Sequence, residues 1–214
     1  ICIFDTAFHA DIPDYAAIYP IPVEYYEKFG IKKYGFHGIS YSFIVNLFKI
    51  YNYNNCNNNN NNSNNYTKNN GNKNNNCNND HNIIKKMIVC HLGNGASICA
   101  IADGKSIDTS MGYTPLEGLM MGTRCGNIDP EIPLILKKKF NLTDDDVNKI
   151  LNKKSGLFGI SKKTYDFKEL TQFDDKYSKL ALKMYAYRII KFIGQYAAVL
   201  NGIDAIVFTG GIGE

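Results

Sequence analysis

The chain has 214 residues, with 24 Lys+Arg against 20 Asp+Glu, 44% hydrophobic and 13% aromatic residues, and no Trp. A formal charge of +4 with no dense basic stripe argues against a nucleic-acid binder, and no run of about 18 apolar residues is available to cross a membrane. The six cysteines (2, 56, 77, 90, 99 and 125) form no CxxC pair, so reduced thiols in a cytoplasmic protein are expected rather than a disulfide framework or a zinc site.

In chain order, Ile1 to Asp5 reads as a short buried strand, followed by an irregular stretch from Thr6 to Pro22. Pro22 to Phe29 fits a short helix, with Pro in its first turn and Gly30 just past its end. Gly38 to Tyr51 reads as a second helix whose apolar face would be Ile39, Phe43, Leu47 and Ile50. From Asn52 to Asn82, 20 of 31 residues are Asn. Such a tract has too little apolar surface to offset its chain entropy, so a disordered surface insertion is expected, with Asn-driven self-association as the alternative.

Lys86 to His91 reads as a strand, and Ala96–Ala102, Asp103-Gly104 and Lys105–Asp108 as a hairpin with a two-residue turn. Asp129-Pro130 marks a helix start, an N-cap acceptor before Pro, with the helix running to about Phe140. Thr143 with Asp146 resembles a capping box opening a helix to about Lys153, which Ser155-Gly156 would end. Asp175 to Leu200 is helical in pattern, with Leu180, Met184, Tyr187, Ile190/Lys191, Gly194 and Ala198 at helical spacing. Asp204 to Phe208 reads as a buried strand entering Thr209-Gly210-Gly211. This order implies an α/β protein with a mixed sheet. Both ends, Ile1 and Glu214, read as cut in mid-element, so part of a longer protein is expected.

The chemistry concentrates in a few glycine-rich segments. Asp108 to Pro130 holds a single Arg between small residues, Gly122-Thr123-Arg124-Cys125-Gly126. A guanidinium so flanked is free to meet an anion, and its planar fork suits phosphate or carboxylate; the plainer reading pairs Arg124 with Asp129 or Glu117. His91-Leu92-Gly93-Asn94-Gly95 is a strand entering a turn whose N–H groups could cradle phosphate. Thr209-Gly210-Gly211-Ile212-Gly213 is a second such turn. Asp5 could hold a metal or position a nucleophile, or merely cap a turn. His37, in Gly35-Phe36-His37-Gly38, is either a site residue or a hydrogen-bonded semi-buried histidine. Strand-to-glycine turns, one Arg, an Asp and a loop His together suit phosphoryl transfer. The GxxxxGK[ST] phosphate loop is absent.

Taken together, Phe4-Asp5-Thr6-Ala7-Phe8-His9, Tyr34-Gly35-Phe36-His37-Gly38, Cys90-His91-Leu92-Gly93-Asn94-Gly95, Asp108 to Pro130 and Val207 to Glu214 resemble the acetate kinase family. The resemblance implies a duplicated ribonuclease-H-like fold, present in part. Residues 1–51 and 83–115 would end the N-terminal domain, 52–82 would be the insertion, and 116–214 would begin the C-terminal nucleotide-binding domain. It implies reversible transfer of the ATP γ-phosphoryl group to the acetate carboxylate with Mg²⁺, and a homodimer when full length.

By the same resemblance, Arg124 stabilises the phosphoryl group and holds the carboxylate, His37 hydrogen-bonds the phosphoryl oxygens, and Asp5 positions metal and substrate. Phe36 and Pro115 wall the acyl pocket. His91, Asn94 and Gly95 lie on the phosphate side, and Asp166, Phe167, Lys168, Gly211 and Gly213 on the adenosine side. Three departures stand out. Ile39-Ser40-Tyr41 replaces Thr-Ser-His, Asn127 replaces Asp in Arg-x-Gly-Asp, and Thr164-Tyr165-Asp166-Phe167-Lys168 replaces Ser-Ser-Asp-x-Arg. Propionate, butyrate or pyrophosphate-dependent relatives, or an inactive nucleotide-binding module, remain open alternatives. The chain alone is not expected to complete an active site.

Overall fold

The computed structural model describes residues 4–62 and 83–214. Its helices are α1 (Asp14–Ala17), α2 (Glu24–Phe29), α3 (Gly38–Asn62), α4 (Glu131–Phe140), α5 (Asp144–Lys153), α6 (Gly156–Ser161), α7 (Phe167–Leu170) and α8 (Lys176–Val199). Its strands are β1 (Lys86–Leu92), β2 (Ala96–Ala102), β3 (Lys105–Thr109) and β4 (Ala205–Thr209). They form one mixed sheet in the order β3-β2-β1-β4, with β4 parallel to β1 and the other pairs antiparallel. The β2–β3 turn has Asp103 and Gly104 both at positive φ, as the Asp-Gly dipeptide requires for a tight hairpin.

The two central strands are buried on both faces. Ile88, Cys90 and Leu92 of β1, with Ile98 and Ala100 of β2, pack in one cluster with Ala181, Tyr185 and Ile189 of α8. Met87 and Val89, with Cys99 and Ile101, pack in another with Tyr41, Ile44 and Val45 of α3. Strand alternation sends successive side chains to opposite helices, and each fully buried aliphatic residue contributes about 1.5–3 kcal/mol. Among the described residues, no helix is long and apolar enough to cross a membrane.

Several expectations are corrected. Residues 1–3 of the proposed first strand lie outside the described residues; Phe4 and Asp5 are not in a strand but lead into a 3-10 turn, Ala7–His9. The second helix does not stop at Tyr51. It runs to Asn62, into the Asn tract, so disorder over all of 52–82 is not borne out; residues 63–82 lie outside the described residues. Its apolar face was also misassigned. Ile39, Phe43, Leu47 and Ile50 are exposed, and the sheet takes Tyr41, Ile44 and Val45. The expected last helix is α8, and along it Leu180, Tyr187 and Ile190 are exposed whereas Ala181, Tyr185, Ile189 and Tyr196 are buried. In both helices apolar residues occupy two faces, and periodicity cannot tell which one meets the sheet.

The helix from Asp144 ends at Lys153 as expected, and Ser155-Gly156 then opens a further helix, α6. The last strand, expected to be buried, lies at the sheet edge with Ile206 and Phe208 exposed. Its parallel pairing with β1 also means that a domain boundary at 115/116 would cut through one hydrogen-bonded sheet. The capping box is present in both directions between Thr143 and Asp146.

The face assignment in α3 is open to a direct check by urea unfolding of the chain. Ile44→Ala is expected to lower the unfolding free energy by about 2–5 kcal/mol, and Phe43→Ala by less than about 1 kcal/mol. Equal losses would restore the face read from periodicity.

Candidate active site

The site forms where the N-terminus of α3 meets the β1–β2 turn. Asp5 Oδ2 accepts the backbone N–H of His37 at 2.7 Å, Oδ1 accepts that of Ile39 at 3.4 Å, and the Asp5 carbonyl accepts that of Gly38 at 2.8 Å. The carboxylate thus satisfies donors at the start of α3 and complements its dipole. The approach is so close that a Cβ on Gly38 would lie 2.2 Å from the Asp5 carbonyl oxygen. His37 adopts the left-handed conformation, with φ at 60°, which turns its ring off the helix toward β2. There Nδ1 shares a 2.8 Å hydrogen bond with Ser97 Oγ.

Four predicted residues converge around this point. The His37 and His91 rings lie 4.2 Å apart between centroids and 31° from parallel. Ser40, in the first turn of α3, shares a 2.9 Å hydrogen bond with His91 Nδ1. The Arg124 guanidinium sits over Gly95, where a Cβ would be in ordinary contact with it at 3.5 Å, and its charge acts on His37. Arg124 pairs with neither Asp129 nor Glu117; its Nη1 donates to the Pro115 carbonyl at 2.9 Å and to Met121 Sδ at 3.4 Å. The loop beneath it is pinned by α6, since Ser155, Leu157 and Phe158 donate N–H to the carbonyls of Thr123, Met121 and Gly122.

A cleft of about 530 Å³ opens beyond the β1–β2 turn. It gathers Asn94, Asp166, Phe167, Lys168 and Gly211 from three separate stretches of sequence. Gly210 makes this possible: at φ 81° it folds the chain back so that Ile212 N–H donates to the Leu92 carbonyl at 2.8 Å, and a Cβ there would lie 2.6 Å from that oxygen. Of the predicted adenosine-side residues, Lys168 is exposed, Asp166 caps α7 by accepting the Glu169 N–H, and Phe167 also packs on Tyr185. His91, Gly95 and Gly213 do not line the cleft. Phe36 is half-buried against the core, with its carbonyl bonded to His9 Nε2 at 2.9 Å. Pro115 is exposed and engages Arg124 through its backbone.

The metal reading of Asp5 fits less well. Both carboxylate oxygens already face α3 N–H groups, and among the described residues no group of three His, Cys, Asp or Glu is placed to hold a metal ion. A resident metal does not fit this donor set. An ion delivered on substrate phosphates needs only one or two protein carboxylates, and the remaining lone pairs of Asp5 could meet that need.

The acetokinase family model matches residues 1–63 and 59–214. The chain belongs to the acetokinase family. It is 48% identical to the acetate kinase of Dictyoglomus turgidum and 45% identical to that of Clostridium botulinum, each over the whole of this chain and 47% or 48% of the relative. Among solved structures, a propionate kinase from Francisella tularensis aligns with TM-score 0.81 at 40% identity, covering 99% of this chain and 48% of that one. The Porphyromonas gingivalis acetate kinase aligns with TM-score 0.81 at 35% identity, covering 99% and 47%. The chain thus spans about half the length of the curated relatives it matches. The fold is that of a partial acetokinase, mixed α/β as the sequence indicated.

Two departures from the acetokinase pattern are accommodated. Asn127 Oδ1 accepts the Gly118 N–H at 2.7 Å, a task that needs only a carbonyl-type oxygen. Tyr41 is fully buried and hydrogen-bonds Ser97, the partner of His37. Neither Ser97, Ser40 nor Tyr41 was singled out from sequence as a site residue. The departure at Ser40-Tyr41 and a helix-phase count placing Tyr41 beside Ile44 and Val45 were the available signals.

His9, which had no apparent context, is buried between Ser106 Oγ and the Phe36 carbonyl, and burial holds its pKa below the ordinary value. Burial likewise lowers His91, and it lowers His37 to about 4, with the neighbouring His91 adding to the shift. Each imidazole is neutral in the fold but free to protonate in the unfolded chain below its ordinary pKa of about 6.5. Below that pH the unfolded state binds more protons, so stability present above pH 6.5 is lost as pH falls through the folded values. Unfolding free energy is therefore expected to decline from about pH 6.5 toward pH 4, with a shallower slope in His9→Gln. A flat wild-type profile in stepwise urea titrations would contradict buried neutral histidines.

Proposed function

We propose that the protein carrying this chain is an acetate kinase, transferring the γ-phosphoryl group of ATP reversibly to the acetate carboxylate, with Mg²⁺ entering on the nucleotide. The observation that carries this reading is the convergence of His37, His91 and Arg124 beside a cleft lined by Asn94, Lys168 and Gly211. Joining a carboxylate to a phosphoryl group brings two anions together, and the barrier falls when fixed donors and positive charge meet the oxygens of the transferring group. Arg124 supplies the charge and a planar fork, held by the Pro115 carbonyl. His37 is neutral at physiological pH and donates a hydrogen bond without titrating. Asp5 acts chiefly by fixing the His37 backbone. Phe36 and Pro115 are the proposed sides of the small acyl site, and the Gly93–Gly95 and Gly210–Gly213 turns the proposed cradle of the nucleotide.

Propionate is the second reading, supported by the propionate kinase among the solved relatives. A pocket tells one methylene from none by only about 1–3 kcal/mol. Lys168, where relatives carry Arg, keeps the positive charge at the cleft and loses the flat surface for stacking.

The test is acyl-phosphate formation by the complete gene product that carries this chain, trapped as hydroxamate, with acetate or propionate as acceptor and ATP or pyrophosphate as donor. Acetate with ATP is expected to give the highest turnover. Arg124→Ala is expected to lower it by at least about two orders of magnitude, as for loss of a transition-state charge partner. No product from any pair, with ATP still bound, would identify a nucleotide-binding module without kinase activity.

A further inference from the structure

Two buried hydroxyls that the proposed chemistry does not use directly, those of Tyr41 and Ser97, lead to His37. Tyr41 is wholly buried in α3, its ring set edge-on to His9 at 5.6 Å and flanked by Phe8 at 6.2 Å. Its hydroxyl reaches Ser97 Oγ, and the same Oγ reaches His37 Nδ1 at 2.8 Å. Ser97 is itself fully buried.

Three arrangements of the hydrogens are possible. If His37 carried its proton on Nδ1 and donated it to Ser97, the serine hydrogen would pass to the Tyr41 oxygen, and the phenol hydrogen would be left buried without an acceptor. If both His37 and Tyr41 donated to Ser97, the serine hydrogen would be orphaned instead. An orphaned buried donor costs about 1–3 kcal/mol. Only one arrangement pairs every hydrogen: Tyr41 donates to Ser97, Ser97 donates to His37 Nδ1, and the ring proton sits on Nε2. The phenol gives the chain its direction, because its hydrogen must go somewhere and Ser97 Oγ is the acceptor it meets. Ser40 offers His91 Nδ1 a matching hydroxyl.

We infer that Tyr41 and Ser97 are positioning residues that lock His37 in the tautomer whose Nε2–H is presented as a donor to the substrate side of the site. The inference deepens the kinase reading and its catalytic consequence rests on it; the tautomer itself does not. A histidine at position 41 could either donate to or accept from Ser97. Tyrosine leaves one direction.

Nitrogen-15 NMR of the histidine rings tests this in the complete gene product, with His37→Gln assigning the signal. At neutral pH, His37 is expected to show an unprotonated Nδ1 and a protonated Nε2. In Tyr41→Phe, which keeps the ring and removes the hydroxyl, and in Ser97→Ala, the two nitrogen shifts are expected to converge as the tautomers mix. In the complete gene product, Tyr41→Phe is expected to lower kcat about tenfold, the worth of one hydrogen bond, with KM for acetate and ATP within about twofold. Tyr41→His is expected to restore part of the loss. A wild-type His37 protonated on Nδ1, or unchanged shifts in both variants, would overturn the proposal. The expected shifts in a gene product without acyl-phosphate formation would instead overturn the kinase reading and leave the tautomer lock standing. If Tyr41→Phe fails to fold, the wild-type spectrum and Ser97→Ala decide the question.

Discussion

The Asp5 carboxylate and carbonyl accept three successive kinds of constraint at once: the N–H of His37, that of Gly38 and, more weakly, that of Ile39. Much of the site depends on this contact. It anchors the start of α3, holds His37 in a conformation that non-glycine residues adopt only when their surroundings impose it, and brings the helix close enough for Ser40 and Tyr41 to reach the β1–β2 turn. Gly38 is where the backbone passes, and no side chain could be admitted there. The aspartate is thus more a structural cap than a metal ligand, although its place beside His37 puts it at the chemistry.

Around this anchor the sheet supplies rigidity. Because β1 and β2 are buried on both faces, between α3 and α8, the turn joining them cannot shift without disturbing two packed clusters. Arg124 reaches the same turn from a loop tied by backbone hydrogen bonds to the N-terminus of α6. Three chain segments distant in sequence therefore meet with little freedom in their polar groups, which is what the proposed phosphoryl transfer demands of electrostatic stabilisation. Burial does a second job here. It keeps the three histidines neutral, so that His37 and His91 can stack at 4.2 Å without charge repulsion.

Legibility varied with how local the physical cause was. The Asp-Gly turn and the Thr143–Asp146 capping box depend on neighbours in sequence and were readable as such. Arg124 and His37 stood out because small residues flank them. The inward face of α3 differs from the one read from its spacing, since that helix, like α8, carries more apolar residues than one face can bury and only the partner sheet selects among them. The exposed faces that result, together with the open edge of β4, occur in a chain spanning about half the length of its relatives. Tyr41 stood out only as a departure from the family pattern and Ser97 not at all, because an isolated serine on a strand and a tyrosine in a helix show no partner until tertiary packing brings them within hydrogen-bond distance.

By itself the sequence determined the element types, the family and the cast of charged and glycine-flanked residues, because turn chemistry, capping and short motifs are local properties of the chain. Tertiary structure alone decided that one sheet joins β1 to β4, that Asp5 caps α3, that Arg124 leans on a carbonyl rather than a carboxylate, and that Tyr41 speaks to His37 through Ser97. Each of those contacts links residues tens of positions apart, and its energy exists only once burial has removed water as the competing partner.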